Sequence, residues 1–173
     1  MPATLEWMTP TAQIHMTGKL APRSAWPAPG EHCPIARTFE TIGTRSALVI
    51  LREAFYGATR FEDFVERTGM SEPVVAARLR ELTADGLLDR VPYREPGKRT
   101  RDGYGLTEKG SDLLPVLVAM MRWGDRWLFP EGARVEVTHT GCGSPVHAVL
   151  RCDAGHEVAP GELDLSQRQP QRR

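Results

Sequence analysis

The C-terminal part of the chain carries two pairs of cysteine and histidine residues, which are common ligands of zinc. Two residues separate His139 from Cys142, three separate Cys152 from His156, and nine lie between the two pairs. Four such ligands suit a tetrahedral zinc ion, which can stabilise a small segment that has little hydrophobic core. The spacing therefore predicts a structural zinc site. It is not a pair of Cys-x2-Cys motifs, however, so a metal-free β-hairpin and a Cys142–Cys152 disulfide remain alternatives.

Cysteine and histidine can also serve catalysis, through a zinc ion with an open coordination position or through a nucleophilic thiol beside a base. The sequence has no phosphate-binding loop, no dinucleotide-binding fingerprint and no acid–base pair at a recognisable catalytic spacing. We therefore expect a protein that is not an enzyme. Structural zinc is the only cofactor that the sequence indicates.

The composition is that of a modest soluble domain with appendages. The chain has 173 residues, of which 40% are hydrophobic, and no apolar run long enough to span a bilayer. Its 22 Lys and Arg residues balance 22 Asp and Glu residues, so a nucleic-acid partner would have to meet a local basic cluster. The first residues do not have the pattern of a signal peptide, and three cysteines do not form a disulfide framework. We expect a cytoplasmic protein without a membrane partner.

The residue pattern divides the chain into four segments. Residues 1–31 contain five prolines and no sustained periodicity, which predicts a disordered leader. Residues 32–129 have strong helical periodicity and form the predicted main domain. Residues 130–165 alternate in short stretches with Gly, Cys and His, which predicts a small β-rich extension, and residues 166–173 are a polar tail.

A helix-turn-helix is predicted from two short helical segments that meet at a glycine. In the second segment Val75, Leu79 and Leu82 recur at i, i+4 and i+7, the spacing of a buried helix face, and the Ser71 hydroxyl can cap its first turn. The opposite face is small or basic, as a helix that enters the major groove of DNA requires. From these residues alone, a helical hairpin whose Ala-rich face packs on another helix is the alternative.

A basic hairpin follows the second helix. Leu87–Tyr93 and Tyr104–Thr107 are predicted strands joined by a loop with Pro and Gly. From Arg90 to Arg101 five basic residues stand against one acidic residue, a local net charge of +4. Basic side chains neutralise DNA phosphates, and a hairpin in this position is the wing of a winged helix; the alternative is a solvated, mobile loop. The residues predicted to contact DNA are Arg60, Ser71, Pro73, Val74, Ala77, Arg78, Arg80, Arg94, Lys98, Arg99 and Arg101.

A long helix is predicted from Thr107, as N-cap, to about Trp127. Its many apolar residues cover more surface than a small domain buries, which predicts a dimer. Pro115 should bend or locally loosen this helix. The alternative is that the helix only completes the core of a monomer.

Five segments in this order, over residues 32–128, resemble the HxlR-type winged helix-turn-helix regulators of bacteria, relatives of the MarR type. They are CPIARTFETIG, LVILREAFYGATRFEDF, RLRELTADGLLDRVPY, YGLTEKG and LLPVLVAMMRWGDRWL. The resemblance implies a mostly helical α+β fold and a homodimer that binds a pseudo-palindromic operator. It also implies that the N-terminal helix and the long last helix form the dimer interface. Ser46 stands where the family commonly has Trp, which concerns local packing more than DNA binding.

Members of this family often sense oxidants or electrophiles through a cysteine just before the first helix, the place that Cys33 occupies. If Pro34 is the first helical residue, the sulfur lies at a helix N-terminus, where the dipole favours the thiolate. Arg37, one turn along, can stabilise a thiolate, whereas Glu31 would oppose it. The alternative is a half-buried structural thiol.

Together these features predict a homodimeric, sequence-specific regulator of transcription that is switched by thiol oxidation or by a small ligand. Its partners would be double-stranded DNA and a second copy of itself. The alternatives are a dimeric adaptor that has lost DNA binding and a thiol or zinc enzyme. The basic wing argues against the adaptor.

Overall fold

The computed structural model describes residues 14–25, 33–94, 96–97 and 99–167. The chain forms two compact units. The larger unit spans residues 30–148, and the smaller unit combines the N-terminal part of the chain with residues from 149 onward.

Helices dominate the larger unit, and the fold is a mostly helical α+β winged helix. The helices are α1 (Pro34–Ile42), α2 (Arg45–Phe55), α3 (Phe61–Thr68), α4 (Glu72–Ala84), α5 (Glu108–Ser111) and α6 (Leu114–Leu128). The strands are β1 (His15–Met16) and β4 (Asp164–Leu165) in the smaller unit, and β2 (Leu88–Tyr93) and β3 (Arg101–Leu106) in the larger unit. None of the helices in the described part of the chain is both long and apolar enough to cross a membrane.

Local sequence signals set the ends of α2, α3 and α4. The Thr44 hydroxyl accepts a hydrogen bond from the Ala47 N–H (3.2 Å) and so caps α2. Gly69, with φ +64°, ends α3 in a conformation that favours glycine. Ser71 precedes α4 as predicted, but its hydroxyl makes no capping bond, so that part of the prediction is wrong. Pro73, the second residue of α4, has no N–H, which removes one of the two donors that such a cap can bond and leaves the Val74 N–H.

The core lies where α2 packs against both α3 and α4. The predicted stripe of α4 is confirmed, because Val75, Leu79 and Leu82 are buried. Phe64 of α3 is fully buried and meets the Tyr104 ring edge-on, with 6.0 Å between ring centroids. The core therefore reaches from the helix-turn-helix to β3.

The predicted hairpin is confirmed as the antiparallel pair β2–β3, in which Leu88 lies opposite Leu106. β3 begins at Arg101, three residues earlier than predicted. The Tyr104 N–H donates to the Thr59 carbonyl (2.7 Å), which joins the hairpin to the connection between α2 and α3. The base of the wing is thus fixed to the helical core.

The predicted single helix from Thr107 to Trp127 is wrong, because the structure divides it into α5 and α6. Pro115, the second residue of α6, lacks the N–H that would bond to the carbonyl four residues earlier, and its ring would crowd that carbonyl. The proline thus ends one helix and suits the first turn of the next. The predicted Thr107 cap is confirmed, since its hydroxyl accepts from the Gly110 N–H (3.0 Å) and donates to the Gly86 carbonyl (2.7 Å).

The smaller unit includes residues 14–25, a described part of the predicted disordered leader. Residues 14–25 contain β1 and two short 3-10 turns, and β1 pairs in parallel with β4, with His15 opposite Asp164.

The predicted β-rich extension, residues 130–165, is less regular than predicted. Between α6 and β4 it has isolated bridges, Thr138 to Pro145 and Arg151 to Glu157, because its frequent Pro and Gly interrupt strand pairing and it buries little apolar surface.

We expect a large difference in stability between Gly110→Ala and Gly124→Ala. A Cβ on Gly110 would lie 2.1 Å from the Leu87 carbonyl oxygen, whereas a Cβ on Gly124, within α6, meets no atom within 4 Å. Gly110→Ala should therefore lower the free energy of unfolding by about 1–3 kcal/mol or more. Gly124→Ala should raise it by about 0.5–1 kcal/mol, because Ala favours a helix over Gly. Urea denaturation of both variants measures the difference, and equal stabilities would contradict this account of Gly110.

Candidate nucleic-acid interface

Helix α4 has one buried face and one exposed face on opposite sides. With about 100° between successive helix residues, the buried stripe leaves Pro73, Ala77 and Arg80 on the other side. Pro73 and Arg80 are exposed, Ala77 is half-buried, and Val74 is 42% exposed beside them. Ser71 is exposed just before the first turn. The predicted contact residues of α4 other than Arg78 thus share a slim surface that can approach a groove.

The two arginines of α4 differ in their surroundings. Arg78 lies at the side of the helix and pairs with Glu81, one turn along. Arg80 is exposed and makes no ion pair with any residue that the structure describes. Arg80 is therefore the better placed of the two to reach a base edge or a phosphate.

The wing carries less unpaired positive charge than the count of charged residues from Arg90 to Arg101 indicated. Arg90 pairs with Asp102 across the hairpin (3.4 Å), and Arg101 pairs with Glu62 of α3 (3.5 Å). Both pairs are exposed to solvent, where an ion pair is weak and easily exchanged for a phosphate. Arg94 and Arg99 are also exposed, and Lys98 lies outside the described residues. The described part of the wing therefore keeps a basic surface.

Arg60 lies at the start of α3 and next to the wing. Its guanidinium carbon is 4.9 Å from the centre of the Tyr93 ring at the end of β2, a cation–π distance. The Asp63 carboxylate accepts a hydrogen bond from the Arg60 N–H (3.1 Å). Arg60 thus joins α3 to the wing.

Large apolar side chains are exposed on both α1 and α6. On α1, Ile35 and Phe39 are 69% and 64% exposed, and on α6, Trp123 and Trp127 are 60% and 62% exposed. Large exposed apolar side chains in such number are typical of an interaction surface.

Residues 41–133 match the model of the HxlR-like helix-turn-helix family. The chain belongs to this family.

Relatives and solved structures agree with this assignment. The HTH-type transcriptional regulator Mb3122 of Mycobacterium bovis is 40% identical over 126 residues, which are 72% of this chain and 78% of that protein. The crystal structure of PA1607, a candidate transcription factor, has a TM-score of 0.66 at 36% identity and covers 75% of this chain and 90% of its own. The structure of PA1374 from Pseudomonas aeruginosa, also a candidate transcription factor, has a TM-score of 0.52 at 33% identity, with 73% and 86% covered.

The HxlR-like chain is therefore a transcriptional regulator with a helix-turn-helix fold, and DNA is the partner that this family implies. Its relatives carry the names of regulators and transcription factors rather than of enzymes.

Cys33 lies where the sequence predicted, directly before Pro34, the first residue of α1. The thiol is half-buried and free. Arg37 donates its backbone N–H to the Cys33 carbonyl (3.0 Å), but its guanidinium pairs with Glu40 instead of the sulfur. The predicted support of a thiolate by Arg37 is therefore wrong in this arrangement, because a carboxylate one turn along is the stronger partner for the guanidinium. Glu31 lies outside the described residues.

The four predicted zinc ligands are divided between the two units. His139 and Cys142 belong to the larger unit, with 3.3 Å between Nδ1 and Sγ, whereas Cys152 and His156 belong to the smaller unit. Each pair closes its own turn: the Cys142 N–H donates to the His139 carbonyl (3.2 Å) and the Cys152 N–H to the His156 carbonyl (3.0 Å).

Within the described residues, no group of three or more His, Cys, Asp or Glu side chains is placed to hold a metal ion. A structural zinc site needs four ligands, so the predicted set does not fit one. Cys142 and Cys152 are free thiols, and the alternative of a disulfide between them is also not realised.

The turn around Cys142 instead stabilises a thiolate. Hydrogen bonds from the Ser144 side chain and backbone, and then from His139, lower the pKa of Cys142 from 9.0 to about 7. The thiol is exposed, so a reagent can reach it. The sequence analysis predicted Cys142 as a zinc ligand and did not identify it as a reactive thiol.

We predict that Cys142 is alkylated rapidly near neutral pH. Its pKa of about 7 means that the thiolate is half-populated there, is lost as the pH falls below 7 and is almost complete above pH 8. The rate of carboxamidomethylation, measured by mass spectrometry between pH 5 and 9 in a Cys33→Ser, Cys152→Ser background, should reach half its maximum near pH 7. Ser144→Ala should move this midpoint upward, because the largest cause of the lowered pKa is removed. A rate that still rises steeply above pH 8 would contradict the prediction.

Sequence reasoning missed the acidic partners of the arginines. Glu81 follows Arg78 by three residues, a helical spacing that could have signalled the pair. Glu62 and Arg101 are 39 positions apart, and only the packing of the wing against α3 brings them together.

Proposed function

We propose that this HxlR-like regulator binds a pseudo-palindromic operator as a homodimer. Each subunit places the exposed face of α4 in a major groove and lays its wing along the flanking backbone. An oxidant or a small ligand then changes the spacing or tilt of the two α4 helices, because the half-sites lie about one helical turn of DNA apart.

The slim face of α4 is the observation that carries this proposal. Its small side chains allow the helix backbone to approach the bases, and Arg80 at the same face can make a bidentate contact with guanine. A helix that packed against protein on this side would bury it, whereas Pro73, Val74 and Arg80 are exposed. The alternative of a helical hairpin packed through its Ala-rich face is therefore disfavoured.

The wing supports binding to the phosphate backbone. Arg94, Arg99 and Arg101 are exposed, and the carboxylate that pairs with Arg101 is itself exposed, so a phosphate can replace it at low cost. The same observation disfavours an adaptor that has lost DNA binding, because an adaptor has no use for a basic hairpin beside a slim helix.

The exposed apolar residues of α1 and α6 support the homodimer. Val116, Trp123 and Trp127 lie on one side of α6, here called its outer face, since intervals of seven and four residues bring side chains to the same side of a helix. Burial of such residues in a symmetric interface would remove a large apolar area from water. Ile35 and Phe39 of α1 add to the surface available for that contact.

Cys33 supports a thiol switch through its place in the chain. It is half-buried at the N-terminus of α1, a helix whose exposed apolar residues belong to the proposed dimer surface. A change of charge or volume at this thiol would therefore act at the junction of two subunits and alter the distance between the α4 helices.

Removal of the basic wing residues should weaken DNA binding in a way that depends on salt. The wild-type affinity for the DNA upstream of its own gene should fall steeply with salt, because each phosphate contact releases counterions. In the Lys98→Ala, Arg99→Ala, Arg101→Ala variant, the slope of log K against log salt should decrease by roughly one for each phosphate that is no longer neutralised. Fluorescence anisotropy at several salt concentrations measures both slopes. Arg45→Ala, which removes an arginine at the first position of α2 and outside the wing, is the control. Equal slopes for the variant and the wild type would favour the adaptor.

Introducing charge on the outer face of α6 should separate the subunits. In Trp123→Glu a charged side chain replaces one that is mostly exposed, so the fold of the monomer should be retained. We expect a weakening of the dimer by roughly tenfold or more, since buried tryptophans are frequent centres of interface energy. Sedimentation equilibrium gives the dissociation constant, and Val91→Glu, at an exposed position of the wing, should leave it unchanged. An unaltered dimer for Trp123→Glu would place the interface elsewhere.

Oxidation should reduce DNA binding only when Cys33 is present. Treatment with diamide should lower the affinity of the wild type for its upstream DNA, and Cys33→Ser should retain its affinity. Cys142→Ser separates this effect from the reactivity of the exposed thiol. If Cys33→Ser loses binding on oxidation while Cys142→Ser does not, the switch lies in the 139–144 turn and the Cys33 assignment fails.

A further inference from the structure

A cavity of about 680 Å³ lies between α2, α6 and the 129–137 segment that follows α6, all within the larger unit. Its lining is mostly apolar and includes Leu48 and Phe55 of α2, Met121 of α6 and Val135 of the following segment. Sites for small molecules typically have about 300–1,000 Å³ and an apolar lining with few polar groups. The cavity matches this size and character.

Two contacts hold the 129–137 segment in place as the third wall. The Ala133 N–H donates to the Asp125 carboxylate (2.5 Å), and Arg122 pairs with Glu136 (3.5 Å). Both Asp125 and Arg122 belong to α6. The space is therefore lined on three sides and is open to solvent on the remaining side.

Most of the α6 residues that line the cavity lie on the side of the helix away from the outer face. At about 100° per residue, Val118 and Met121 point to one side of the helix, and Trp123 and Trp127 to nearly the opposite side. Val118 and Met121 line the cavity, and the two tryptophans do not. Met120, four residues after Val116 and seven before Trp127, also lines the cavity and lies at the edge of the outer face. A second copy seated on the outer face would therefore border the cavity at Met120 and leave the walls formed by α2 and the 129–137 segment to another occupant.

The polar groups that line the cavity favour an acceptor oxygen with negative charge. The Tyr56 hydroxyl donates to the Met121 sulfur (3.7 Å), a weak acceptor that a carboxylate or sulfonate oxygen would replace favourably. The guanidinium of Arg52 lies 5.8 Å from the centre of the Tyr56 ring and is already paired with Glu53. The exposed Arg134, which also lines the cavity, therefore supplies the positive charge. The acidic lining residue, Asp125, is already engaged by a backbone N–H.

We propose that this cavity binds a small organic anion with an apolar body of aromatic size, and that such a molecule is the effector of the regulator. The second half of this proposal rests on the proposed function. α2 forms one wall of the cavity and packs with its opposite face against α3 and α4. An occupant that displaces α2 therefore acts on the helix that faces DNA.

Two fluorescent probes with nearly the same rings test the site without DNA. 1-Anilinonaphthalene-8-sulfonate carries a negative charge, and N-phenyl-1-naphthylamine does not. We expect both to bind the wild type, with one sulfonate probe per chain by calorimetry. Val49→Trp fills the cavity from the α2 wall, away from the outer face of α6, and should weaken both probes at least tenfold. Arg134→Gln should weaken the sulfonate probe several-fold and leave the neutral probe within twofold, because only the charged head loses a partner.

The controls distinguish binding in this cavity from binding to the dimer surface. Arg45→Gln, an arginine of α2 outside the cavity, should bind both probes like the wild type. Arg52 is left intact, because the largely buried Glu53 carboxylate depends on it. If Val49→Trp binds both probes with the affinity of the wild type, the cavity is not a ligand site. The same conclusion follows if the variant weakens the dimer in sedimentation equilibrium and leaves the probe affinity unchanged. The probe experiments contain no DNA. Loss of probe binding therefore contradicts the cavity proposal alone, and loss of operator binding contradicts the proposed function alone.

Discussion

Burial of the α4 stripe is the constraint on which the remaining structure depends. Val75, Leu79 and Leu82 leave water where α4 packs against α2, α3 and β2, and this packing turns the opposite side of α4 outward. The same contacts fix α3, whose Phe64 reaches Tyr104 of β3 and so sets the base of the wing. One hydrophobic face thus determines where the slim helix surface and the basic hairpin lie relative to each other. The polar interactions at the surface, such as Arg101 with Glu62, adjust this arrangement and do not create it.

The sequence was most informative where structure is decided locally. Apolar spacing predicted the buried face of α4, and strand and turn residues predicted the hairpin. The position of Cys33 before Pro34 likewise followed from neighbours in the chain. Pro115 was expected to bend one helix, but it separates two. The course of the chain after the proline depends on the packing of Leu113 and Leu117 against the core, which the sequence does not reveal.

Features formed between distant segments could not be predicted in the same way. The cavity requires α2, α6 and the 129–137 segment to meet, and no periodicity within any one of them signals that meeting. The Cys and His spacing suggested one metal site, but the pairs fold as two separate turns, each closed by its own backbone hydrogen bonds. Spacing along the chain identifies residue types that can act together, and tertiary structure decides whether they do.

The parallel pairing of β1 with β4 gives the protein an order of assembly during its synthesis. β1 leaves the ribosome roughly 7–30 seconds before β4, at ordinary rates of elongation. During that interval the winged helix can complete its core, since none of its buried residues lies in the smaller unit. The smaller unit closes last, because its β1–β4 pairing joins residues that precede the larger unit in the chain with residues that follow it.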